Sequence, residues 1–157
     1  MQIKTSYFYQ IRFFTPNMIP VSTALGDPDW YHEGLGKDHL FLDKRRVING
    51  IRYNYIMAQR NCGGCPCKLK DPDHCDFLTN YRKEINKLDF DKVIADLTWL
   101  GNTLKHKLRF KEEPIIVLMV HEAWYNTCSE RKILQDFFNS HGVNCEELTY
   151  PLNKCQK

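Results

Sequence analysis

The chain has 157 residues, 43% of them apolar and 26% charged, with a formal net charge of +3. That length suits a single domain with a sizeable core, and the composition is that of a globular protein rather than a disordered or fibrous one. So small a positive balance does not by itself argue for nucleic-acid binding. No apolar run nears the ~20 residues needed to cross a bilayer, and Met1-Gln2-Ile3-Lys4 opens without a secretory apolar core, so a cytoplasmic protein with no membrane contact is expected.

Along the chain, Ile3 to Phe14 is aromatic-rich and reads as a first strand leading into the start of a helix. Met18 to Leu25 reads as a second strand, ended by Gly26-Asp27-Pro28-Asp29. Trp30 to Asp43 has no clear period and reads as loop. In Val47-Ile48-Asn49-Gly50-Ile51 the Asn-Gly pair suits a type I′ hairpin turn. Three helical patterns come later. Phe77, Leu78, Tyr81, Ile85 and Leu88 share one face. Phe90, Val93, Ile94, Leu97, Leu100 and Leu104 share another, behind a cap at Asp89 or Asp91. Ile133, Leu134, Phe137 and Phe138 line a third helix that stops near Gly142. Between the last two lies the solid apolar run Ile115 to Val120, the pattern of a strand buried on both faces, and Cys145 to Leu148 reads as a short last strand. The order β, β, inserted knuckle, α, α, β, α, β predicts a three-layer α/β domain over residues 1–157, with 61–75 as a small inserted cysteine-rich loop.

Seven cysteines are many for this length, and their odd count and tight clustering argue against a disulfide framework. Cys62, Cys65, Cys67 and Cys75 offer four thiols within 14 positions. Structural zinc takes four nitrogen or sulfur ligands in a closed tetrahedron. Gly63-Gly64 and Pro66 permit a tight turn, Lys68 and Lys70 offset thiolate charge, and His74 is a substitute ligand. Zinc acting as a structural staple is favoured over an iron–sulfur cluster or free thiols. The spacing is not that of a standard finger.

The richest segment is the exit of the central strand. Val120 is followed by His121-Glu122, then a polar loop, then Thr127-Cys128-Ser129-Glu130-Arg131 opening the third helix. In open α/β sheets ligands bind at the carboxyl ends of strands. Thr127-x-x-Glu130 reads as a capping box with Glu130 at the third helical position. Arg131 is then left to hold an anion beside exposed backbone N–H groups, or to form a surface salt bridge. Glu122, at the end of a buried strand, is the candidate general acid or base; His121 should point to the opposite face and be structural. Cys128 is either a nucleophile activated by the helix start or a small core residue.

The stretch His121 to Arg131 resembles the carboxyl-terminal motif of the uncharacterised bacterial and phage family called domain of unknown function 488. Thr5-Ser6-Tyr7-Phe8, Ile11-Arg12, Pro20-Val21-Ser22, Cys75-Asp76-Phe77-Leu78, Tyr81-Arg82 and Leu88-Asp89 are similar to it as well. The resemblance implies a compact Rossmann-like α/β domain and no particular activity. The chain has His121 where the commoner pattern has Cys, and Ser129 where it has His.

Three functional expectations follow. In the first, the protein binds or acts on a nucleotide-like or other phosphorylated ligand. Arg131, Cys128 and Ser129 at the helix start, with Ser22 and Arg12 from neighbouring strand ends, hold the anion. Tyr7 and Trp30 stack on a base, and Glu122 serves any hydrolysis or glycosyl transfer. In the second, a zinc-stabilised surface carrying Arg45, Arg46, Arg52 and Tyr53 binds nucleic acid through phosphate attraction and base stacking. In the third, a non-catalytic phage or host factor sequesters a ligand or a partner. Whether there is catalysis, and the oligomeric state, stay open.

Overall fold

The computed structural model describes residues 1–23, 72–123, 125 and 128–149, and for Arg12 the backbone only. The expected loop, hairpin, residues 61–71 of the cysteine-rich insert and the tail from 150 lie outside the described residues. Four strands, β1 (Gln2–Tyr7), β2 (Met18–Ser22), β3 (Ile115–Val120) and β4 (Cys145–Glu147), form a sheet in the order β2-β3-β1-β4. Each described neighbour pair is parallel. Among the described residues three α-helices accompany it: α1 (Asp76–Asn86), α2 (Phe90–Leu108) and α3 (Arg131–Asn139). The fold is mixed α/β.

The apolar run of β3 is buried on both faces, as its unbroken hydrophobicity requires. Ile116, Leu118 and Val120 share one core with Ile3 and Tyr7 of β1, Ile19 and Val21 of β2, and the buried residues of all three α-helices. Val117 and Met119 point the other way, into a second core with Phe8, Ile11, Phe14 and Leu148. Among the described residues, the cover on this second face is a 3-10 helix, Phe8–Phe13, where the sequence pattern suggested the start of an α-helix. Its buried apolar residues Phe8 and Ile11, with Phe14 at its carboxyl cap, are spaced three apart, the 3-10 repeat.

The helix ends follow local chemistry. Asp89, not Asp91, caps α2 by accepting from Lys92 N at 3.2 Å. Gly142, with φ +83°, takes the left-handed backbone past the end of α3, and Val143 N then bonds the Phe138 carbonyl at 3.0 Å. The α3 start differs from expectation. The helix begins at Arg131, with Glu130 at the cap position rather than the third helical one. Ser129 supplies the local bond, its Oγ accepting from Arg131 N at 3.2 Å. Thr127 lies outside the described residues. Among the described residues, no helix is long and apolar enough to cross a membrane.

Candidate functional site

Two adjacent strands send their chains to opposite faces of the sheet. From β1 the chain passes into the 3-10 helix on the second face, and from β3 it passes toward α3 on the first. Such a divergence opens a crevice at the carboxyl ends. His121 and Glu122 continue β3 into it and separate. The His121 ring packs on Phe8, centroids 4.9 Å apart, on the 3-10 side. Glu122 turns to the α3 side, where its Oε2 accepts from Ser129 Oγ at 3.1 Å.

Arg131 fixes this corner. Its Nη2 donates to the Glu122 carbonyl at 2.5 Å and its Nη1 to the Ala123 carbonyl at 3.1 Å. Its Nε forms an ion pair with Glu147 on β4. The residue is only 6% exposed. The guanidinium therefore joins the β3 exit loop, the α3 start and strand β4, instead of standing ready for an anion as the sequence suggested.

Beside this corner, between α1 and α3, lies a cleft of about 800 Å³. Arg82 and Lys83 of α1 and Ser129, Arg131 and Lys132 at the α3 start line it, with Glu147 at its base. Asp136 holds part of the rim, pairing with Arg82 at 3.3 Å and with Lys132 at 2.6 Å. Cationic side chains outnumber acidic ones in the described lining, and the amino end of a helix adds partial positive charge.

Glu147 was not among the residues singled out from the sequence. It sits opposite Thr5 in the β1–β4 register, and Gln135 Nε2 donates to Thr5 Oγ1 at 2.8 Å. Burial pushes its carboxyl up to about 7, against the lowering effects of the Arg131 charge and the Thr5 hydroxyl. The signal was present: in a strand, Glu147 must share a face with Cys145, two positions back, which is a core residue. Burial, followed by the Glu147 charge, likewise pushes the Cys145 thiol up to about 12.

Of the expected site residues, the candidate acid/base Glu122 and the ligand-binding candidates Ser129 and Arg131 come together, and three other ligand-binding candidates do not open on the cleft. Tyr7 is a core residue whose hydroxyl accepts from Gln10 Nε2 at 2.5 Å. Ser22 is fully buried in β2. Cys128 is buried and precedes the helix by three positions, outside its first turn. The Arg12 side chain and Trp30 lie outside the described residues, as do Arg45, Arg46, Arg52 and Tyr53 of the expected basic surface. So do Cys62, Cys65 and Cys67. Cys75 is described: it is 2% exposed at the N-cap position of α1, and its carbonyl accepts from Thr79 Oγ1 at 3.1 Å. Among the described residues, no three His, Cys, Asp or Glu side chains group to hold a metal. No protein-family profile, curated protein sequence or solved structure matches the chain.

Proposed function

We propose that the protein binds an anionic, nucleotide-like or otherwise phosphorylated ligand in the cleft between α1 and α3. One observation carries this: Arg82 and Lys83 of α1 and Arg131 and Lys132 at the amino end of α3 line the same cleft, with Asp136 pairing Arg82 and Lys132. A phosphate is favoured there by both the side-chain charges and the partial positive charge at the amino end of the helix. The anion contacts fall to these rim cations and the helix start, with Arg131 held behind them. Any hydrolysis or glycosyl transfer would use Glu122, whose carboxylate reaches Ser129 beside the cleft. Its resemblance to the domain of unknown function 488 family and a Rossmann-like arrangement of the sheet belong to the same proposal.

The test is a titration of isotope-labelled protein with nucleoside 5′-monophosphates and sugar phosphates. Saturable shifts at Thr79, Lys83, Ser129 and Lys132 are expected. Glu122→Gln should still bind and should lose any conversion of the ligand. Full conversion by that variant contradicts an acid/base role, and recovery of intact ligand from the wild type makes this a binding protein only.

A structural zinc held by Cys62, Cys65, Cys67 and Cys75 completes the proposal. Its support is the clustering of four thiols in 14 positions, with Cys75 anchored at the start of a cleft helix. Metal analysis should find about one zinc per chain, reduced in Cys75→Ser. Iron, or no metal in freshly purified protein, contradicts it.

A further inference from the structure

The cleft is cationic at its rim, yet a carboxylate lies at its base. Glu147 stands against Arg131, and both carboxylate oxygens and the Arg131 Nε are closed off from solvent. The two Arg131 Nη atoms are held by the Glu122 and Ala123 carbonyls, so the guanidinium cannot swing away when its partner changes charge. The lining thus contains a fixed positive charge whose effect on an incoming anion depends on whether Glu147 is ionised.

We propose that Glu147 is a proton-linked counter-ion beneath the cleft: an anion binds as Glu147 takes up a proton from solvent, and the Arg131 charge then acts on the anion instead of on Glu147. This rests on the cleft being the ligand site. Glu147 is a positioning residue here, acting through Arg131, and it makes no contact with the ligand.

The direction follows from electrostatics. An ionised Glu147 cancels the Arg131 field, and a neutral one leaves it unopposed. An anion near Arg131 in turn favours the neutral carboxyl. Affinity should therefore rise as pH falls through about 7, where burial has brought the Glu147 carboxyl. The groups facing Glu147 are Arg131 and Gln135 from α3, Thr5 from β1 and Cys145 from its own strand. Farther along the register, Lys4 and Glu146 pair with each other at 2.6 Å. At the mouth stand Asp73, Arg82, Lys83 and Lys132. Among the described lining residues there is no histidine, so Glu147 is the group in it that titrates near neutrality.

Sulfate is a suitable probe because its own charge is constant across this range. Its affinity for the full chain, followed by shifts of the cleft amides, should rise about three- to tenfold from pH 8.5 to pH 5.5. Glu147→Gln should bind tightly at both ends of the range, with a flat profile. Calorimetry of the wild type in two buffers of different ionisation enthalpy should show net proton uptake near pH 7, an outcome independent of whether the variant folds. A flat wild-type profile, no proton uptake, or the same slope in Glu147→Gln overturns the linkage and leaves the cleft as an anion site. No sulfate shift at any pH overturns both.

Discussion

Arg131 is 6% exposed, and its three identified guanidinium partners come from two different segments: the carbonyls of Glu122 and Ala123 in the β3 exit loop, and Glu147 on β4. Only a planar, many-donor group can meet them together, so Arg131→Lys is not a conservative change here. It should lower stability by about 2–4 kcal/mol, because Glu147 would keep a buried charge with a poorer partner. Denaturant unfolding checks this, and a loss under about 0.5 kcal/mol would mean that the corner does not depend on the guanidinium. The sequence marked Arg131 as important but did not show that it is buried and joins the β3 exit loop to β4. Its position ahead of an amphipathic helix is a local signal. Its partner on β4 lies 16 positions away and is brought near by parallel pairing of β1 with β4, which no local pattern encodes. Glu147 went unnoticed for the same reason, in a strand of three residues too short to show a convincing alternation.

At the level of elements, the apolar patterns were the legible part. The face Leu78, Tyr81, Ile85 is buried as its spacing requires, and so is Val93, Leu97, Leu100, Leu104. The start of α3 was less so, since Thr127 and Ser129 are both favoured capping types, yet Glu130 takes the cap position without a side-chain cap bond. The end of α2 is a further case. Arg109 takes the left-handed cap conformation, φ 55° and ψ 52°, with its N–H bonded to the Lys105 carbonyl. A side chain with a Cβ is disfavoured there. Arg109→Gly should raise the melting temperature by a few degrees, corresponding to about 0.5–1 kcal/mol, provided the backbone is kept. A clear decrease would show that the Arg109 side chain contributes more than its backbone conformation costs. Close packing accompanies this end of the helix: a Cβ on Gly101 would lie 3.0 Å from Met1 Sδ and 3.5 Å from Pro114 Cβ. That spacing brings α2 against the amino ends of β1 and β3, the end of the sheet opposite the crevice.

For the whole molecule, the arrangement separates stability from binding. The two cores on either side of β3 hold the sheet, and His121 and Glu122 follow directly on the last core residue of β3, Val120. Parallel neighbours diverging at β1 and β3 explain why His121 and Glu122, adjacent in sequence, serve different faces. The modest net charge of +3 gave no indication of a locally cationic cleft, because the cleft draws its cations from α1 and α3, helices separated by 44 residues in the chain. Binding of a phosphorylated ligand in this cleft is tested by an amide-resolved titration with nucleoside 5′-monophosphates, in the wild type and in Lys83→Glu/Lys132→Glu. Saturable shifts confined to residues around the cleft are expected in the wild type, weakened at least about tenfold by the double charge reversal. Shifts spread over other surfaces, or equal binding by the charge-reversed protein, would contradict it.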